Sequence, residues 1–371
     1  MSVLTTPISL PRLPALRLRP ARVSSARRRA ATVTGLEIGA TQAIAAQARL
    51  HNGRITLERA AVRPLPAGLL RDGVVIEPGE LGRELRELFK AHRFAKRVRV
   101  GLATPRTILR VIDLPPLPDR DIAAALRMQA QEQIPMPLDR AVMDYRTVGI
   151  VETPAGPRLR LVVVVTERDG VDRLLTALRR AGLKPIGIDL SMFALIRALH
   201  DHQPADGPVL YANLGDLTNI AIAETGVCRF TRLAPHGLSM LIGRLTEDLG
   251  IPPGEVLALV ARIGTATSGE VLGERERAVG ELLSRTAAEL GAELRTAAEF
   301  YCTQFGTSRI TNGVVAGPLA PLPGFVEAVG AASGLELRCG HVAVAGASAL
   351  HDLDPRLAPV ASGLAVAELG R

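Results

Sequence analysis

The sequence predicts an α/β protein with two related domains on either side of a cleft and a small α/β unit inserted into the first domain. Three observations predict this fold class. A strand–glycine turn–strand unit occurs twice, a proline-rich connector opens a separate block of strands and helices, and 371 residues are enough for two domains with full cores.

The repeated unit lies at 34–53 and again at 209–226. In the first copy a short apolar strand leads into the turn Gly39-Ala40-Thr41, a second strand follows, and Asn52-Gly53 is a strong hairpin signal. The second copy has its turn at Gly215. Glycine turns expose backbone N–H groups that bind anions such as phosphate. The repeat therefore indicates two related domains around an anion-binding cleft, although two unrelated hairpins would give the same pattern.

Hydrophobic spacing predicts the elements that follow the first unit. Asp119 is the expected N-cap of a helix that Pro135 and Pro137 end. Strand, helix, two strands and helix then predict a small α/β insertion. The full series is a helix over 80–90, strands over 97–103 and 108–114, the stiff connector 115–118, a helix over 119–133, strands over 143–150 and 158–166, and a helix around 171–178.

The remaining chain returns to a strand over 184–189 and a helix over 190–202, and the loop 203–208 is the expected domain boundary. After the second unit the spacing predicts a strand near 228–233, helices over 238–249, 252–263 and 276–305, a strand over 311–316, and helices from 324 and over 359–369. The predicted organisation is a tail at 1–32, a first domain at 33–104 and 183–205, an inserted unit at 105–182 and a second domain at 206–371.

Charge and composition exclude several classes of function. The first 32 residues hold seven arginines and no acid, so they supply nearly all of the net charge of +8 and leave +1 for the other 339 residues. With no Trp and only three Tyr, this nearly neutral body is not expected to bind nucleic acid. No stretch approaches the roughly 18 apolar residues of a membrane span. Three scattered cysteines indicate a reducing cytoplasm and argue against a disulfide framework or a zinc site.

The Arg- and Pro-rich tail is predicted to be disordered, because it has no helical period and no apolar core of a secretory signal. Three interpretations of it stay open. It is a passive tail or an artefact of a misassigned start codon, an electrostatic contact with anionic lipid headgroups, or an organelle transit peptide.

Several runs occur in the order and spacing of one known family. These are 35–40 (GLEIGA), 110–115 (RVIDLP), 131–139 (QEQIPMPLD) with Asp144-Tyr145, 182–189 (GLKPIGID) with Phe193-Ala194, 298–301 (AEFY) and 362–365 (SGLA). Over about residues 33–371 the chain resembles the PilM family, the actin-like cytoplasmic proteins of type IV pilus assembly that are related to FtsA. The resemblance implies an actin-like ATPase fold, which is a duplicated ribonuclease H-like fold.

The resemblance also implies a function and partners. It implies a cytoplasmic adaptor at the inner face of the cell membrane, with a groove between the insertion and the first domain that takes the cytoplasmic tail of the membrane protein PilN. Residues expected near the wall of that groove are Ile134, Pro135, Met136, Asp139 and Tyr145. A pilus motor ATPase and a second copy of the chain are further candidate partners, and membrane association would be peripheral, through partners.

For cofactors, the resemblance implies ATP and Mg²⁺ between the two halves. Glu37 would hold a metal-bound water, although a polar residue at a strand end is the simpler interpretation of it and of the aligned Asn213. The residues expected to contact the nucleotide, if the site is retained, are Gly39, Ala40, Thr41, Gly215, Asp216, Leu217 and Gly317.

Three departures from the family pattern predict a degenerate cleft. The usual phosphate-binding lysine is replaced by Ile44, the polar nucleoside-binding run is replaced by 256–260 (VLALV), and the usual Gly-Gly pair is Ala316-Gly317 followed by Pro318. Losing two charge-assisted hydrogen bonds, at roughly 1.5–3 kcal/mol each, would weaken binding about 10²–10⁴-fold.

No catalytic residue is therefore assigned, and at most a weak ATPase is expected. The alternatives are a small-molecule kinase of the same superfamily, with Asp216 as its candidate catalytic aspartate, or an FtsA-like filament protein. Whether the system serves pili, secretion or DNA uptake is open at this point.

Overall fold

The computed structural model describes residues 32–154, 156–200, 207–265, 273–305, 309–346, 350 and 353–366. Of the tail predicted at 1–32 only Thr32 is included, so that prediction lies outside the described residues. The strands are β1 Thr34–Ile38, β2 Gln42–His51, β3 Arg54–Pro64, β4 Leu70–Arg71, β5 Val74–Val75, β6 Arg97–Leu102, β7 Thr107–Leu114, β8 Ala141–Thr153, β9 Gly156–Glu167, β10 Lys184–Leu190, β11 Val209–Leu214, β12 Thr218–Glu224, β13 Val227–Ala234, β14 Asn312–Ala316, β15 Glu336–Cys339 and β16 Ala343–Val344. The helices are α1 Pro78–Ala91, α2 Asp119–Gln133, α3 Arg168–Arg180, α4 Ser191–Leu199, α5 Leu238–Leu249, α6 Pro253–Ile263, α7 Glu274–Phe305, α8 Phe325–Ser333 and α9 Pro359–Ala365.

Two sheets repeat one topology. The first sheet has the order β10-β6-β1-β2-β3-β16 and the second has the order β13-β12-β11-β14-β15. In each, three antiparallel strands form a meander, and two further strands then run parallel to its first strand. The repeated strand–glycine turn–strand units are β1–β2 and β11–β12, at the centres of the two sheets. The duplication predicted from the sequence is confirmed.

The meanders even share their second turn. Asn52 and Gly53 join β2 to β3 with φ of 50° and 75°, and Thr225 and Gly226 join β12 to β13 with φ of 50° and 76°. Positive φ at both central residues defines the two-residue turn that matches strand twist. Positive φ strains the backbone of the β-branched Thr225, whereas glycine adopts it without strain. Because Gly226 occupies the other central position, only one residue of the second turn is strained.

Each sheet is covered by helices with apolar faces. On the first sheet α1 and α3 pack against each other through Leu85, Leu88 and Leu178, each at most 1% exposed. On the second sheet the long helix α7 supplies Leu290 and Leu294, both fully buried. Burial of such a side chain stabilises the fold by roughly 1.5–3 kcal/mol.

Helices α4 and α9 pack against each other and join the two sheets. Met192 and Leu195 of α4 and Leu364 of α9 share a buried cluster with Tyr211 and Val314 of the second sheet. Helix α9 also packs on β1 and β2, and β16 pairs with β3. The domain boundaries stay a prediction, and the structure adds that chain from within 206–371 returns to the first sheet.

The insertion is a three-stranded antiparallel sheet, β7-β9-β8, covered on one face by α2. Ile112, Leu126 and Leu161 form its core with Val163 and are at most 1% exposed. The bounds of α2 are those predicted from the sequence. The predicted N-cap role of Asp119 is wrong, because Asp119 is already helical and the extended Pro118, with ψ of 145°, precedes the helix. In the first turn the Asp119 charge still interacts favourably with the helix dipole.

Other differences concern short elements and ends. The strands β4, β5, β15 and β16 were not predicted, since two to four residues carry no measurable period. The helix predicted over 190–202 ends at Leu199, and the predicted end at 369 falls outside the described residues. Among the helices the structure describes, none is both long and apolar enough to cross a membrane.

Candidate functional site

The glycine turns of the two sheets face each other. Gly39-Ala40-Thr41 joins β1 to β2, and Gly215-Asp216-Leu217 joins β11 to β12. Between them lies a cavity of about 240 Å³, just below the roughly 300–1,000 Å³ of typical small-molecule sites. Its wall includes Glu37, Gly39, Ala40, Ile44, Arg71, Ser191, Asn213, Gly215, Asp216, Leu217, Ser239 and Pro318.

One carboxylate connects the two turns. Oδ2 of Asp216 accepts hydrogen bonds from the backbone N–H groups of Ala40, at 2.5 Å, and Thr41, at 3.2 Å. Oδ1 of Asp216 accepts from the hydroxyls of Thr41, at 2.9 Å, and Ser239, at 3.3 Å. Three of these four donors come from the first sheet's turn, so the contact spans the cleft.

A local backbone hydrogen bond fixes the shape of the first turn. The N–H of Gly39 donates to the carbonyl of Gln42 at 2.8 Å, which closes the turn and leaves the next two amides free to point across the cleft. A Cβ at Gly39 would overlap Oδ2 of Asp216. Only glycine allows this close approach, so the sequence signal of the turn has a steric cause.

The start of α5 binds the backbone of the second turn. The N–H groups of Leu238 and Ser239 donate to the carbonyls of Gly215, at 2.8 Å, and Asp216, at 3.3 Å. A Cβ at Gly237 would collide with both carbonyls, so glycine is required where the helix meets the turn. This contact fixes the backbone that carries the Asp216 side chain.

A second polar bridge crosses the cleft between the aligned residues Glu37 and Asn213. Nδ2 of Asn213 donates to Oε1 of Glu37 at 2.8 Å. Removal from bulk water raises the pKa of Glu37 to about 7; the Asn213 hydrogen bond opposes the rise and the Asp216 charge adds to it. The proton on Glu37 therefore depends on pH near neutrality.

All of the predicted nucleotide contacts lie together at the cleft. Six of them, counting Glu37, line the cavity, and Thr41 binds Asp216 directly. Gly317, with φ of +100°, packs so closely against Asn213 that a Cβ would overlap Oδ1. Their roles in nucleotide binding stay predictions. Asp216, predicted as a nucleotide contact or as the catalytic aspartate of a kinase, accepts all four of the hydrogen bonds described above.

The departures from the family pattern are buried in apolar surroundings. Ile44 is 3% exposed and packs into the core under β2, where its side chain offers no charge to a phosphate. Val256 and Val260 of α6 are fully buried in the core of the second sheet. Of the described residues that line the cavity, Arg71 is the sole basic one.

Arg71 and Ser239 are site residues that sequence analysis missed. Arg71 lies in a two-residue strand, which has no periodic signal, and Ser239 is brought to the cleft by the packing of α5. The described residues contain no group of three or more His, Cys, Asp or Glu side chains placed to hold a metal ion.

The predicted groove residues lie on the insertion. Ile134 is 5% exposed and belongs to the insertion's core, so it offers little surface to a partner. Met136 and Tyr145 are half-buried against that core, and Pro135 and Asp139 are exposed. The segment that carries most of these residues, 134–141, ends at the junction with the first sheet's helices, where Arg168 of α3 donates a hydrogen bond to the carbonyl of Ala141 at 2.9 Å.

A crevice marks the junction between the insertion and the first sheet. It has a volume of about 20 Å³, enough for about one water molecule. Its walls combine apolar side chains, among them Leu102, Val171 and Leu174, with the hydroxyl side chains of Thr104 and Thr166. An ion pair between Arg106 and Glu167, at 2.6 Å, lies at its edge.

Known proteins share both the sequence pattern and the shape. Residues 35–345 match the family described as type IV pilus assembly protein PilM. The chain is similar to a solved PilM-PilN type IV pilus biogenesis complex at 25% identity, covering 91% of this chain and 98% of that chain with a TM-score of 0.75.

Two more distant structures show the fold alone. The ethanolamine utilization protein EutJ from Carboxydothermus hydrogenoformans is 17% identical, with 90% of this chain and 88% of that chain covered and a TM-score of 0.52. A diol dehydratase-reactivating factor is 8% identical, with 91% and 99% covered and a TM-score of 0.51. The predicted actin-like α/β fold is confirmed.

Proposed function

The chain belongs to the PilM family of type IV pilus assembly proteins, and from this premise we propose that it is a cytoplasmic adaptor that docks the tail of a PilN-like membrane protein. The observation that carries the proposal is the similarity to the PilM-PilN complex, which extends over 98% of that chain. The proposal places the protein at the inner face of the cell membrane through its partner. Contacts with a motor ATPase or a second copy belong to the same proposal.

We place the docking groove between the insertion and the first sheet. Part of the crevice wall is apolar, and apolar side chains from a tail would gain burial against Leu102, Val171 and Leu174. Its volume of about 20 Å³ holds no side chain, so docking requires the insertion to move away from the first sheet. The Arg106–Glu167 pair is partly exposed and costs little to open.

A peptide titration tests this adaptor function. The full chain is titrated against a fluorescently labelled peptide of the cytoplasmic tail of its PilN-like partner, and binding is followed by anisotropy. Met136 does not line the crevice itself, but the family resemblance predicts it near the groove wall, on the part of the insertion that leads to the junction. Met136→Ala is therefore expected to weaken binding about 5–10-fold, the effect of losing more than about 1 kcal/mol at an interface. Met128→Ala is the matched control, because Met128 is 73% exposed on α2 outside the proposed groove.

Two outcomes would contradict the proposal. The wild-type chain could fail to bind the tail, or the two methionine variants could lose affinity equally. Equal losses in the two variants would mean that the tail does not bind at the proposed groove.

We further propose that the cleft does not turn over ATP. Ile44 supports this, because the position of the expected phosphate-binding lysine is an apolar side chain inside the core. The buried valines of α6 supply no polar contact for a nucleoside. Calorimetric titration with ATP and Mg²⁺ tests this point, and micromolar binding followed by hydrolysis would overturn it.

The kinase alternative is not favoured. Its candidate base, Asp216, accepts four hydrogen bonds and would have to exchange them for a substrate hydroxyl. No second candidate function is proposed.

A further inference from the structure

We propose that Asp216 is a built-in ligand of the first glycine turn: its carboxylate occupies the anion-binding position of Gly39-Ala40-Thr41 and competes there with phosphate groups. This inference goes beyond the adaptor function and does not depend on it. It concerns what fills the cleft, whereas docking concerns the insertion.

The donors around the carboxylate are those of an anion site. Two successive backbone N–H groups, of Ala40 and Thr41, converge on Oδ2, and two hydroxyls converge on Oδ1. Successive N–H groups in a turn form a concave binding site for anions such as phosphate. A phosphate oxygen that entered this site would need the same donors, so phosphate and Asp216 cannot both use them.

The duplication shows what the aspartate adds. Aligning Gly39 with Gly215 places Ala40 opposite Asp216 in the repeat. In the first turn this position carries only a methyl group, and its backbone N–H faces the cleft. In the second turn the same position carries a carboxylate that crosses to the other sheet. The two turns of the repeat therefore differ in role. The first turn donates N–H groups, and the second turn supplies, through Asp216, the anion that accepts them.

The space next to the carboxylate has room for a short linear oligophosphate. The cavity of about 240 Å³ continues from Asp216 toward the β4–β5 hairpin, where Arg71 supplies a positive charge beside the negative charge of Asp72. Removing the carboxylate would free the two amides, the Thr41 hydroxyl and the Ser239 hydroxyl at one end of this cavity. The class of ligand that the freed site would take is thus an inorganic oligophosphate, with no nucleoside required.

The experiment compares full-length wild-type protein, Asp216→Ala and Asp248→Ala by calorimetric titration with sodium tripolyphosphate. Asp248 is the matched control, since it is an exposed aspartate on α5 of the same half, and its loss changes the net charge equally. We expect Asp216→Ala to bind tripolyphosphate at least tenfold more tightly than the other two proteins. Equal affinity of Asp216→Ala and wild type, or no binding by any of them, would overturn the proposal.

A second variant covers the case in which Asp216→Ala does not fold. Asp216→Asn keeps the shape of the side chain and removes its charge. Backbone amide exchange at Ala40 and Thr41 is followed by NMR in this variant and in wild type. We expect at least tenfold faster exchange in Asp216→Asn and restored protection on adding tripolyphosphate. Unchanged exchange would overturn the proposal, and because the tail peptide is absent, either result is independent of docking.

Discussion

The pH dependence of stability offers a quantitative test of the cleft, through the substitution Glu37→Gln. Burial raises the pKa of Glu37 from 4.5 to about 7. The native state therefore holds this proton between pH 4.5 and 7, while the unfolded state has released it. Stability must fall as pH rises across that window, because the unfolded state binds fewer protons. The difference of about 2.5 pH units corresponds to at most about 3.4 kcal/mol, at about 1.36 kcal/mol per unit.

Glutamine keeps an oxygen that accepts the hydrogen bond from Asn213 but carries no titrating proton. Urea unfolding followed by circular dichroism at pH 4 to 8 gives the free energy of unfolding for wild type and Glu37→Gln. We expect the stability of wild type relative to the variant to fall by about 2–3 kcal/mol from pH 4 to pH 8. Glu87→Gln serves as the control, since Glu87 is exposed on α1 and should leave the wild-type slope unchanged. Parallel pH profiles of wild type and Glu37→Gln would refute the reasoning.

Three further substitutions test the packing. Gly35→Ala places a Cβ against the carbonyl of Ala361, so α9 must shift and we expect a loss of about 1–3 kcal/mol in thermal unfolding; no loss would mean that α9 does not pack there. Leu126→Ala empties a fully buried position in the insertion and should cost about 2–5 kcal/mol, measured by urea unfolding of the full chain. Arg160→Ala breaks the two-pronged pair with Asp113, yet both side chains are about one-third exposed, so a loss above roughly 1 kcal/mol in the same assay would contradict the structure.

Much of the fold was predictable from local pattern. The bounds of α2 follow from its apolar spacing and the prolines around it, and the two glycine turns appear in the sequence as a repeat. The same pattern could not reveal β4–β5, and so it missed Arg71 in the cavity wall. Short strands exist because longer neighbours align them, which is a tertiary cause with no local signal.

The sequence predicted which residues lie at the cleft but not which of them contact each other. Asp216 was predicted to lie at the cleft and to contact phosphate or magnesium. In the structure its carboxylate accepts hydrogen bonds from the opposite turn. That contact joins residues 176 positions apart, and only the packing of the two sheets decides it. Ile134 was expected near the groove wall because of its motif, yet it follows α2 directly and turns into the insertion's core.

The location of the bound partner tail is the most direct test of the adaptor proposal. Hydrogen–deuterium exchange of the full chain would be compared with and without the PilN-like tail peptide. We expect added protection in the insertion and at its junction, namely in β7, residues 134–141 and the start of α3. Protection confined to the glycine turns and the second sheet, or no protection at saturating peptide, would contradict it.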